Sequence, residues 1–116
     1  MQEMNESILT SIKKLLGITE EYEQFDPDII MHINSVFMIL TQMGVGPPEG
    51  FSITGAYETW DDFLSGSTNL EGVKTYVYMK VQLMFDPPTS SAKLDSANRV
   101  INELEWRLNL AGESNS

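Results

Sequence analysis

The stretch from Thr68 to Leu110 constrains this chain most. Two helical runs meet there at a corner, Asp86-Pro87-Pro88-Thr89-Ser90-Ser91, that cannot itself be helical. The first run, Leu70 to Phe85, is apolar on nearly every side, and a helix of that kind must be covered from several directions. It is expected at the centre of the fold. The second run starts at Ala92 and repeats apolar residues at Leu94, Ala97, Ile101, Leu104, Leu108 and Ala111. That spacing makes a narrow seam on one face and leaves charge on the rest. Thr68-Asn69-Leu70-Glu71 matches a capping box for the first helix, and Ser90 or Ser91 is placed to cap the second. Gly112 is expected to end it, with residues 112–116 and 1–4 flexible.

The N-terminal half supplies what packs against this pair. Asn5 to Leu16 reads as a helix with Asn5 as cap, a stripe of Met4, Ile8, Ile12 and Leu15 widened by Leu9 and Leu16, and Lys13 and Lys14 at its negative end. Gly17 is a left-handed stop. Ile18 to Phe25 is an acidic connector expected to be solvated. Asp26-Pro27-Asp28 is a helix start, with Asp26 capping and proline in the first turn. The helix it opens carries Ile29, Ile33, Val36, Leu40 and Met43 in one stripe and Ile30 and Phe37 beside it, a width that implies contact on two sides. From Val45 to Glu58, glycines and prolines forbid helix. Phe51-Ser52-Ile53-Thr54 alternates apolar and polar residues, so a short strand or an extended arm fits. Thr59 then caps a short helix containing Trp60, Asp61, Asp62 and Phe63. The expected fold is mainly α: a small bundle of four to five helices in one domain of 116 residues, with a long nonhelical arm around 45–58.

Composition narrows the function classes. The chain has seventeen acidic and seven basic residues and a net charge of −10. Phosphate contact requires clustered Lys and Arg, so nucleic-acid binding and adsorption to anionic lipid are disfavoured. Cysteine is absent, so no disulfide staples the fold. The start lacks a basic segment followed by an apolar block, and Lys74, Lys80 and Gln82 break the longest apolar runs. Neither a signal peptide nor a membrane span is expected.

No constellation for catalysis stands out. His32 is the single histidine and has no cysteine or spaced carboxylate to complete a metal site or triad. Asp26/Asp28 and Asp61/Asp62 are explained as helix-start acids, and Glu103/Glu105 as a solvated face. Gly44 to Gly50 has closely spaced glycines but lacks the Lys-Ser/Thr pair of a phosphate loop. The chain is expected to be no enzyme and to need neither cofactor nor metal. Trp106 differs from its neighbours because it lies ~200° around the helix from Leu104, away from the seam and alongside Arg99, Asn102 and Glu103. A tryptophan there is either tucked under another segment or anchors an interface. The interface candidates are Phe51, Ile53, Tyr57 and Trp60 from the arm and the short helix, with Trp106 and Arg107 from the last helix.

The ordered set of segments resembles a known family. Ile8 to Ile18, Thr59-Trp60-Asp61-Asp62-Phe63-Leu64, Val73 to Pro88 and Ile101 to Leu108 are together similar to head–tail connector (adaptor) proteins of tailed bacteriophages and prophages of Gram-positive bacteria. The resemblance implies a small helical subunit of the virion neck, assembled in the host cytoplasm. It implies a homo-oligomeric ring, a dodecamer in the virion, beneath the portal protein. It also implies a downstream head-completion or tail protein as a further partner, and DNA that passes through without specific binding. It carries no catalytic residues over. Charge alone leaves a second class open: a small acidic phage-encoded inhibitor that mimics DNA and occupies a host protein.

Overall fold

The computed structural model describes residues 5–64 and 70–115. They form five helices, α1 (Ile8–Leu15), α2 (Asp26–Gln42), α3 (Trp60–Leu64), α4 (Leu70–Phe85) and α5 (Ser91–Asn115), and no strand. The short strand admitted for 51–54 does not form. One isolated antiparallel bridge joins Ser7 to Thr59. The capping box before α4 falls in 65–69, outside the described residues, as does Met4.

α4 takes the central position that its all-round apolar sequence demands. It packs against α1, α2 and α5, while α2 and α5 pack on α4 rather than on each other. Val73, Tyr76, Val77 and Val81 are buried, and Tyr78, Met79, Leu83 and Phe85 line the margins of the core. Lys74 and Tyr76 are two positions apart and so point ~200° apart around the helix. The Lys74 ammonium lies 3.2 Å from Glu6 Oε1, on the turn before α1. The Tyr76 hydroxyl donates to Glu105 Oε2 on α5 at 2.8 Å. Lys80 lies 3.8 Å from the same carboxylate oxygen. Pro87 and Pro88 follow the end of α4, and Ser90 caps α5, its hydroxyl accepting from Lys93 N at 3.3 Å. The α5 seam is as spaced: Ile101 and Leu108 are buried, Leu94, Ala97 and Leu104 half-buried.

Several helix ends differ from expectation. The cap of α1 is Ser7, not Asn5, because the Ser7 hydroxyl accepts from Thr10 N. Leu15 is exposed, since α1 turns its last residue away from α2 and α4. Asp26 does not cap α2. Phe25 holds that position without a side-chain bond, and Asp26 pairs instead with Lys13 at 2.8 Å. α5 runs through Gly112 to Asn115. A glycine inside a helix costs only about 1 kcal/mol, and no proline follows to enforce a stop. Gly17 and Gly44 do take the left-handed conformation that ends α1 and α2, at φ +83° and +84°.

Lys13 is the least expected core residue, at 2 % exposure. Its ammonium donates to Glu20 O at 3.0 Å and Tyr22 O at 2.7 Å besides pairing with Asp26. A buried ammonium needs its donors satisfied, and here the connector wraps around it to do so. The acidic side chains of the connector remain exposed, as expected, but its backbone is fixed from inside. Tyr22 and Phe25 then lead to the end of α4, with ring centroids 5.5 Å apart and Phe25 5.2 Å from Phe85.

Two expectations follow. Lys13→Met leaves Asp26 and two carbonyls without their donor, and urea unfolding should show a loss of about 3 kcal/mol. Burial first, and then the hydrogen bond and charge of Glu105, raise the Tyr76 phenol above its ordinary 10.0. The unfolded phenol ionises near pH 10 while the folded one resists, so its contribution is intact below that pH and lost as pH rises beyond it. Alkaline denaturation should therefore steepen above pH 10 in the wild type and less in Tyr76→Phe.

Candidate functional site

The surface is the place to look for a site that meets other molecules, and the arm is its most irregular part. Residues 45–58 are nonhelical, yet most of the segment is sewn to the body. Val45 and Ile53 are buried. Phe51 packs edge-on to Phe37 at 5.4 Å and Phe63 at 5.3 Å, and Phe37 stacks on Phe63 at 4.5 Å. Gly46, at φ +87°, passes so close to the Phe63 ring that a Cβ would collide with it. The side chain of Asn34 on α2 satisfies both polar groups of Ile53, accepting from its N–H at 2.7 Å and donating to its carbonyl at 3.0 Å. This pairing replaces the strand partner that the alternating pattern would otherwise need. Beyond it, Glu58 Oε2 accepts from the N–H and hydroxyl of Thr54, closing a small tip at 54–57. Ile8 N to Glu58 O at 3.0 Å and Trp60 N to Glu6 O at 3.3 Å fasten the return to the start of α1.

The sequence candidates therefore divide. Trp60 is fully buried, and its indole N–H donates to Ser11 Oγ at 2.8 Å. A buried indole needs such a partner, and α3 delivers it to α1 through the cap that Thr59 and Asp62 make with each other's backbone. Ile53 is likewise core and Phe51 half-buried. Trp60 and Ile53 lie in this chain's own core, and Phe51 packs against it. Tyr57, on the tip, is 85 % exposed. Trp106 is 64 % exposed and Arg107 is also on the surface, 3.7 Å from Glu103. No second segment of the chain covers Trp106 among the described residues.

A feature the whole-chain charge conceals becomes visible once the chain is folded. Between Leu15 and Val73 there is no lysine or arginine, and the segment holds ten acidic residues; the rest of the chain has seven acids and seven bases. The excess charge thus belongs to the connector, α2, the arm, α3 and, through Glu71, the first turn of α4. The outer face of α2 presents Asp28, Met31, Ser35, Met38 and Gln42 in one line, with both methionines 60 % exposed. The outer face of α5 presents Lys93, Arg99, Val100, Trp106, Arg107 and Leu110, all exposed. The two helices that flank α4 differ in the kind of apolar residue they expose, and α5 carries exposed Asp95 and Glu103 among its cations. Among the described residues no group of His, Asp or Glu is placed to hold a metal ion, and no helix is long and apolar enough to cross a membrane.

The Asn34 clamp is testable on its own. Asn34→Ala should leave helical circular dichroism nearly unchanged while limited proteolysis within 45–58 accelerates, since Ile53 loses both of its backbone partners.

A family model described as phage connector protein matches residues 8–115. No curated protein and no solved structure matches the chain.

Proposed function

The chain belongs to the phage connector protein family, and from that premise we propose that it is the head–tail connector subunit of a virion, assembled as a homo-oligomeric ring beneath the portal. There it extends the DNA channel and presents a surface to the next head-completion or tail protein. The observation that carries this reading is the family match along nearly the whole chain. The fold supports it in two ways. Burying α4 under α2 on one side and α5 on another leaves a subunit with two unlike outer faces. Contacts between unlike faces close into rings when the rotation fits. A surface with a strong acidic excess also suits a channel that DNA must cross without sticking.

The mechanism is one of shape and order of assembly. The subunit stays soluble through its charge until a portal offers a site. Docking then brings neighbouring copies into register, with Trp106 as an anchor and the tip around Tyr57 available to a neighbour. Gathering acids in one part of the chain also favours the other reading, an inhibitor that imitates DNA. Native mass measurement of the protein with purified portal separates the two. Ring stoichiometry supports the connector, and tight one-to-one binding to a host nucleic-acid protein supports the mimic.

Trp106→Ala should retain helix content and a cooperative melt while weakening ring assembly on the portal at least about tenfold, the scale of an interface anchor. Loss of the cooperative melt would instead make Trp106 a residue of the fold.

A further inference from the structure

We infer that the row of three aromatic rings where the connector meets the end of α4, Tyr22, Phe25 and Phe85, docks an arginine-bearing segment of a different protein. This goes beyond the connector reading: it names the chemistry of a partner and does not depend on a ring.

A loop is commonly held to its domain by burying its largest side chains, and this connector is held otherwise. Lys13 anchors it from inside, through the carbonyls of Glu20 and Tyr22 and the carboxylate of Asp26. Tyr22 and Phe25 are left exposed and Phe85 half-buried. Their ring centroids follow one another at 5.5 Å and 5.2 Å, with the planes inclined at 59° and 73°. Rings inclined in this way cover less of each other's faces than stacked rings do, and an uncovered face is the electron-rich side of the ring.

Charge selects the occupant. Glu20, Glu21 and Glu23 in the connector, Asp28 in the first turn of α2 and Asp86 directly after Phe85 are all exposed on the segments that carry the rings. No lysine or arginine lies between Leu15 and Val73, and the first after Phe85 is Lys93. The Lys13 ammonium is buried and already engaged by Asp26. Aromatic faces among so many carboxylates repel phosphate and attract a cation. Guanidinium suits them better than ammonium, since it is planar and weakly hydrated and can lie on a ring while its N–H groups donate to a carboxylate.

A second copy has no such segment to offer. Lys13, Lys14, Lys74 and Lys80 are each in an ion pair inside the subunit. The other cations, Lys93, Arg99 and Arg107, are spread along α5 among Asp95, Glu103, Glu105 and Glu113, with Arg107 3.7 Å from Glu103. The segment therefore comes from another protein.

The test titrates the isotope-labelled full chain with two synthetic peptides of equal length and charge, one alternating arginine with glycine and the other lysine with glycine. Nuclear magnetic resonance locates the contact and calorimetry measures it. Amide shifts should move in the connector, the first turn of α2 and the end of α4. The arginine peptide should bind about fivefold more tightly than the lysine peptide. Tyr22→Leu with Phe25→Leu keeps apolar bulk and removes two ring faces. It should weaken the arginine peptide about tenfold and erase its advantage. Glu20→Gln, Glu21→Gln and Glu23→Gln together should weaken both peptides about tenfold. The same charge change elsewhere, Glu49→Gln, Asp61→Asn and Glu71→Gln, should cost about twofold at most. Circular dichroism verifies the fold of each variant, and if the leucine variant melts early the comparison of peptides on the wild type decides. The inference falls if neither peptide binds or if both bind the wild type equally. It falls too if the folded leucine variant binds as the wild type does, or if distant neutralisation weakens binding as much as near. None of these outcomes bears on ring assembly with the portal, by which the connector reading stands or falls.

Discussion

A helix with apolar residues nearly all the way round can be stable in water only if other elements cover it on more than one side, and α4 imposes that condition on everything else here. α1 and α2 take one side and α5 another, with Lys74 and Tyr76 fastening the two sides to nearly opposite directions of the same helix. The arrangement leaves α2 and α5 each with a buried face toward α4 and a free face away from it. These two free faces come from unrelated segments of sequence, so they cannot be alike. Two unlike faces of this kind are what a heterologous contact requires.

Around this helical frame, the irregular segments are held by side chains reaching the backbone. Lys13 gathers two connector carbonyls and Asn34 satisfies both polar groups of Ile53, while a backbone bridge joins Ser7 to Thr59. In each case a loop that could not bury its own peptide groups borrows partners from a helix or its cap. The aromatic cluster of Phe37, Phe51, Trp60 and Phe63 closes the same region with packing. The arm is consequently a strap over the core, and only its tip is free to meet another molecule.

The helices and their stripes were legible because periodicity is a local property: the α2 stripe, the α5 seam and the centrality of α4 all follow from spacing within a single segment. Trp106 was legible for the same reason, its angle from Leu104 being fixed by helical geometry. The roles of Trp60, Lys13 and Asp26 were not. Trp60 is core because Ser11, far away in the chain, supplies its hydrogen bond. Lys13 and Asp26 each look like residues suited to a helix end, and only folding the connector brings them together. The cation-free stretch from Leu15 to Val73 was present in the sequence, but the total charge averages it against a neutral remainder. Its meaning depends on which helices it becomes.

The ammonium of Lys13 occupies the inside of the connector much as a bound ion would, with carbonyls drawn in toward it and the carboxylates of Glu20, Glu21 and Glu23 left outside. Those carboxylates therefore stand on a pre-set rim and not on a floppy brush. A molecule arriving there meets a field already in place and forfeits little chain freedom on landing. Charge of this kind shows itself more in how quickly partners find each other than in how long they stay, and added salt would slow the encounter before it shortened the embrace.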